Sequence, residues 1–318
     1  MRLQGAAYGA PNGNIAEMPR EPDLPMTTAE DSAALRADLF RESPVEAWRQ
    51  AGLRFAWALK HYHVALLPFA AAWLGDRLAP QTGLPDPDRT GSDGERAGFV
   101  HDLSVPTLVK AYERGLYTSD HYGPLTWSSP AERCVLFFDE IHISKRLRRL
   151  MRQDKYTVTF DRAFEQVITA CAGRREGRWH LTWITPRIMN AYSALFDAGH
   201  VHSFEVWNEA GKLVGGGYGV ALGGVFFTES QFSHEDNTSK LGFTVLNWHL
   251  AKWSYVLNDG KKPTPTILGM GFRNIPRSEF LHHIAGSANG GKSGRWQVEA
   301  NVKQIADWQS PAKLAAAE

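Results

Sequence analysis

Cysteine is scarce: the chain has two in 318 residues, Cys134 and Cys171, far apart and in no CxxC pair. That spacing excludes a disulfide framework and a cysteine zinc site, and it suits a reducing compartment, so a cytoplasmic setting is expected. An excess of one charge is lacking too. Lys and Arg number 35 against 34 Asp and Glu, a net of +1, so any nucleic-acid contact has to come from a local patch. No GxGxxG follows a strand, and no P-loop, HExxH or GxSxG is present, which removes the usual signatures of nucleotide hydrolases, zincins and α/β-hydrolases. The first residues lack the basic, apolar and small-residue order of a signal peptide. Phe55 to Leu74 is as long as a membrane span, but Lys60, His61, His63 and Pro68 interrupt it, so no transmembrane segment is expected.

What remains is a chain rich enough in apolar residues, at 43%, to bury a sizeable core. Residues 1–28, dense in Gly, Pro and acids, read as a flexible tail, and residues 29–79 as a helical extension. Residues 80–98, "PQTGLPDPDRTGSDGERAG", read as a linker. The body then begins at 99. "DLSVPTLVKAYERGLY" places Leu108, Tyr112 and Leu116 on one helical stripe behind a Ser104 cap, and "CVLFFD" reads as a strand. Downstream, "YTVTFD" and "VHSFEVWN" read as strands, and "AFEQVITACAG" and "TPRIMNAYSALFDAG" as helices. "KLVGGGYGVALGGVFFTES" reads as a hairpin turning at Gly223 and Gly224, "TSKLGFTVLNWHLAKWSYVLN" as a long helix, and "TPTILGMGF" as a further strand. The order predicts an α+β fold.

Two stretches carry candidate chemistry. "ISKRLRRLMRQDKY", a helix opened by Ser144, concentrates Lys145, Arg146, Arg148, Arg149 and Arg152 against one acid, Asp154, and is expected to meet phosphates. "GGVFFTESQFSHEDNTSKLGF" sets Glu229 among Phe226, Phe227 and Phe232, where an acid needs a partner or a use.

The segment "HVHSFEVWNEAGKLVGGGYGVALGGVFFTESQFS", residues 200–233, resembles the signature of the leucyl/phenylalanyl-tRNA protein transferases, which read close to HxHSxEVW, LVGGxYG and FxGESMFS. "WSSPAERCVL", "TWITPRIMNAY", "NTSKL" and "IPRSEFL" extend the likeness in order. The resemblance implies a small α/β domain over 99–160, an acetyltransferase-like (GNAT) sheet domain over 161–284 and transfer of an amino acid from aminoacyl-tRNA to an amine; residues 285–318 lie outside it as a C-terminal tail. The acceptor it implies is a protein or peptide with a basic N-terminal residue, or a small-molecule amine. No cofactor and no metal are implied, and the chain is expected to be a monomer. It casts Glu229 as the anchor of the donor's α-ammonium, and Trp127 and Trp183 as walls for the terminal adenosine.

This chain departs from the pattern at Gly217, Thr228 and Gln231, where the family has Met, Gly and Met, and at Ser128, where it has a second Trp. Those three positions, with Phe232, are expected to line the pocket for the donor's side chain and to alter its preference. The family strand LIDxQ is matched here to "TILGMG", residues 266–271, which has neither Asp nor Gln, with Asp259 or Glu279 as substitutes. An acyl-CoA-dependent N-acyltransferase and a non-catalytic tRNA or peptide binder stay open as alternatives.

Overall fold

The computed structural model describes residues 29–309 except 42, 63–65, 81–82, 91–94, 120–123, 174–181 and 289. The tail expected over 1–28 and the last residues of the one expected over 285–318 lie outside that range.

The alternating segments from Tyr156 onward build most of one large sheet. Strand β5 (Tyr156–Phe160) leads through helices α6 (Phe164–Ala172) and α7 (Pro186–Asp197) to β6 (Val201–Asn208). Strands β7 (Leu213–Leu222) and β8 (Val225–Ser233) form the expected hairpin, and Gly223 supplies its left-handed turn residue at φ +54°. Helix α8 (Thr238–Lys252) then crosses to β9 (Leu257–Asp259). From the preceding segment come β1 (Arg96–Phe99), α4 (Val105–Glu113), β2 (Tyr117–Ser119), β3 (Thr126–Ser128), β4 (Glu132–Phe137) and α5 (Lys145–Arg152). The chain closes with α9 (Pro265–Leu268), β10 (Arg273–Pro276), α10 (Arg277–Gly286) and α11 (Val302–Ala306).

The large sheet runs β10-β4-β9-β8-β7-β6-β5, and a small one runs β1-β3-β2. Every pairing is antiparallel except β8 with β9, which is parallel and ends at Phe227↔Asp259. This mixed sheet with helices on both faces is an α+β fold. One face packs Leu108, Tyr112, Phe164, Tyr192, Tyr218 and Phe227 beneath α4, α6 and α7. The other packs Phe204, Phe226, Phe243, Leu246 and Trp296 beneath α8 and the C-terminal segment.

Two sequence expectations fail here. The long helix stops at Lys252 because Ser254 is left-handed at φ +61°, and "YVLND" enters the sheet next to β8. "TILGMG" is the end of α9 and a turn, not a strand. The C-terminal stretch is also more than a tail: Trp296 stacks on His202 with 3.7 Å between ring centroids, its backbone N–H donates to Asp161 at 2.8 Å, and Ile305 is fully buried.

The N-terminal extension is helical, as α1 (Ala29–Leu39), α2 (Pro44–Tyr62) and α3 (Leu66–Leu78). Arg36 pairs with Asp197 at 2.6 Å and Glu165 at 2.9 Å, and Phe40 enters the core beside α6. The end of the expected linker is β1, and Asp88 and Glu95 just before it pair with Arg277 and Lys262. No helix among the described residues is long and apolar enough to cross a membrane.

Within the sheet, Glu205 is completely buried and accepts from Ser203 Oγ and Thr159 Oγ1, each at 2.6 Å. Burial pushes its carboxyl up to about 7, against the hydrogen bonds that lower it. Since the unfolded carboxyl titrates near its ordinary 4.5, the folded state keeps a proton that the unfolded state has lost. Stability is therefore fully present below that value and falls as pH rises toward 7, by about 3 kcal/mol. Denaturant melts from pH 4.5 to 8 should show Glu205→Gln flattening this slope.

Candidate active site

The sheet places Glu229 at a break in its own ladder. Tyr218 faces Ser230 and Gly219 faces Thr228, so Glu229 is the extra residue of a β-bulge on β8. A bulge re-aims side chains and disturbs the two-residue alternation. Two residues beyond Phe227, Glu229 shares that residue's α4 face, where its side chain is only 1% exposed, and the bulge changes the face of the residues that follow. Tyr112 Oη donates to Glu229 Oε1 at 2.6 Å, and Lys261 Nζ donates to the same oxygen at 2.5 Å. Because Tyr112 gives its hydrogen to Glu229, Tyr192 donates to Tyr112, at 2.6 Å; Thr118 Oγ1 lies 3.2 Å from Tyr192 Oη. Trp183 lies edge-on to Tyr192, 6.1 Å between centroids.

The second wall of the site is β9. Beyond Phe227↔Asp259 the parallel strands no longer pair, and Lys261 bridges the opening, donating to Thr228 O at 2.6 Å. Lys261 has a left-handed backbone at φ +64°, with its N–H on Asp259 Oδ1 at 2.8 Å. Asp259 in turn holds Arg133 from β4; both side chains are fully buried, and Arg133 also donates to Gly115 O at 2.5 Å and lies against the rings of Tyr117 and Phe280. Burial raises the Glu229 carboxyl from its ordinary value, and the Lys261 charge and the Lys261 and Tyr112 hydrogen bonds pull it back. Burial beside Glu229 holds Tyr112 and Tyr192 well above the ordinary phenol value, so both are hydrogen-bond donors across the working range. Among the described residues no three His, Cys, Asp or Glu side chains come together as a metal site.

Several expected site residues fall elsewhere. Alternation would put Glu229 and Gln231 on one face, but the bulge separates them. The Cγ of Gln231 lies beside Gly217 and Phe204, on the α8 face, and Thr228 Oγ1 donates to Asn258 there, at 2.7 Å. Gly217 is a packing position: a Cβ would come within 2.7 Å of both Phe204 and the Ser230 carbonyl. These three residues therefore do not line the Glu229 side, whereas Phe232 is buried on it, over Gly216. Trp127 is 2% exposed within the core, which leaves no open ring face for a base; Trp183 is half-buried.

The basic helix is also partly committed. Arg148 donates to the carbonyls of Ala306 and Trp308, fixing the end of α11. Arg152 pairs with Asp307 at 2.5 Å and Arg146 with Asp236 at 3.6 Å, all at the surface, so the acidic partners come from segments distant in sequence. Lys145 and Arg149 are exposed with no partner among the described residues.

Sequence reading missed Tyr112, Tyr192, Arg133 and Lys261. The signal was available in "LNDGK", residues 257–261, which follows L-x-D-x-Q with Lys in place of Gln and lies in the strand beside Glu229. Assigning Leu257 and Asn258 to the preceding helix, and matching the family strand to residues 266–271, hid it.

The pattern of the family described as "Leucyl/phenylalanyl-tRNA protein transferase" matches residues 135–285. The leucyl/phenylalanyl-tRNA–protein transferase of Azotobacter vinelandii is 47% identical over 188 residues, 58% of this chain and 82% of its own length. That of Pseudomonas fluorescens is 45% identical over 199 residues, 61% and 86% of the respective chains. Among solved structures, L-PGS from Bacillus licheniformis aligns with 49% of this chain and 50% of its own at 16% identity and a TM-score of 0.30, too distant to carry an argument. With relatives so similar covered over more than four-fifths of their length, the chain belongs to the leucyl/phenylalanyl-tRNA protein transferase family.

Proposed function

We propose that the chain transfers an amino acid from aminoacyl-tRNA to the N-terminal amine of a protein or peptide, and that Glu229 anchors the donor's α-ammonium. The observation that carries this reading is the buried Glu229 carboxylate, held by Tyr112 and Lys261 just beyond the point where β8 and β9 cease to pair. Lys261 and Tyr112 occupy only Oε1, and a carboxylate offers further lone pairs on Oε2. An aminoacyl ester is already activated. The acceptor nitrogen attacks the ester carbonyl carbon, the bond to the ribose 3′-oxygen breaks, and the proton lost by the amine ends on that oxygen. The residues' work is placement. Phe232 and Trp183 line the Glu229 side as apolar surface for the donor.

The order α6-α7-β6-β7-β8-α8-β9, antiparallel until it turns parallel beside the bulge, supports a GNAT-like unit over 161–284. An acyl-CoA donor would need free amides at the start of α8. There the Ser239 amide donates to Ser233 Oγ at 3.0 Å and the Thr238 amide to Glu235 O at 3.3 Å, with Glu235 and Asp236 adding negative charge. This favours tRNA over CoA. Incubating full-length protein with individually charged tRNAs and synthetic peptides should yield N-terminally extended peptides; no extension with any donor refutes the proposal.

The tRNA backbone is assigned to the exposed cations Lys145, Arg146, Arg149 and Arg152, and Arg148 is a structural residue. Converting Lys145 and Arg149 to Glu should lower the log–log salt slope of tRNA affinity by roughly 1 to 2. An unchanged slope would remove α5 from the interface.

A further inference from the structure

Lys261 sits where the family pattern has a neutral amide, and it adds a positive charge to the enclosure in which the ester is to react. The groups around its ammonium are Glu229 and Thr228 O from β8, Tyr112 from α4, Tyr117 from β2 with its ring centroid 5.4 Å away, and Asp259 with Arg133 from the adjoining strands. The charges in this set already cancel: Arg133 is matched by Asp259 and Lys261 by Glu229. A donor ammonium entering on Glu229 leaves one positive charge unmatched where burial makes such a charge costly.

We infer that Lys261 makes this chain select acceptors bearing a negative charge next to the attacking amine, such as peptides beginning with Asp or Glu. The inference rests on the reading that Glu229 holds the donor ammonium. In the donor, that nitrogen and the ester carbon are joined through one carbon, about 2.5 Å apart. The attacking amine thus approaches a point beside the carboxylate that Lys261 already touches, and the acceptor's first side chain enters the field of the Lys261 charge. A Lys or Arg there adds to the unmatched charge, and an Asp or Glu offsets it. Selection works through repulsion of the wrong partner as much as through attraction of the right one.

The test compares transfer to peptides differing only in their first residue, Asp, Asn, Glu, Gln, Lys or Arg, using full-length protein and charged tRNA. Wild type should favour Asp over Asn and Glu over Gln, with Lys and Arg at least about ten-fold below the acids in kcat/KM. Lys261→Gln, which keeps a donor for Thr228 O, should collapse the ranking, and Lys261→Glu should reverse it. A wild-type preference for Lys or Arg overturns the inference, and so does an acidic preference that survives in Lys261→Gln. If the variants do not fold, the wild-type ranking decides. Failure to modify any peptide with any donor instead brings down the function reading, and this inference with it.

Discussion

Replacing Asp259 by Asn is expected to cost about 3–5 kcal/mol of folding stability, because it strands a fully buried Arg133 without its counter-charge. The remaining contacts of the guanidinium, a hydrogen bond to the Gly115 carbonyl and cation–π contacts with the rings of Tyr117 and Phe280, offset only part of that charge. Urea unfolding checks the cost. The double replacement Arg133→Met with Asp259→Leu should recover most of it, since removing both charges of a buried pair is tolerated far better than removing one. A loss under 1 kcal/mol in Asp259→Asn would show that water reaches Arg133.

Glu229→Gln is expected to slow transfer with every aminoacyl-tRNA donor alike. The lost interaction, a charge-assisted hydrogen bond in a buried setting, contributes about 1.5 to 3 kcal/mol, which corresponds to a roughly ten- to hundred-fold lower rate. The single variant also leaves Lys261, 11% exposed, without its carboxylate, so its stability has to be measured beside its activity. Uniform loss across donors identifies an anchor for the group that all donors share. Loss confined to some donors would place Glu229 against the side chain instead.

Much of this arrangement was legible in the sequence. The hairpin turning at Gly223 and Gly224, the Ser144 cap on the basic helix, which accepts from the Leu147 amide at 3.2 Å, and the buried Leu108 and Tyr112 on α4 follow from local rules that the tertiary structure does not override, whereas Leu116, expected on the same stripe, is buried beyond the helix end and the left-handed Gly115. Glu229 stood out because an acid among phenylalanines requires an explanation. What surrounds it was not legible, for two physical reasons. First, the bulge at Glu229 has no composition signal, so nothing in the sequence showed that Gln231, expected in the donor pocket from the family pattern, faces α8 beside Gly217 instead. Second, the Lys261 contact depends on where helix α8 stops, and the left-handed Ser254 that stops it carries no glycine to announce it. The cations of α5 read as unpaired because Asp307 and the Ala306 and Trp308 carbonyls that hold two of them lie more than 150 positions away.

The measurement that tests the account most directly is single-turnover transfer by the double variant Glu229→Gln, Lys261→Met. It removes both charges of the site's pair at once, so it should melt within about 1.5 kcal/mol of wild type while tRNA binding through α5 persists. This folded, tRNA-binding protein should transfer amino acid at least about ten-fold more slowly than wild type with every donor. Transfer at the wild-type rate by the same folded protein would contradict it and move the reacting centre away from the β8 bulge.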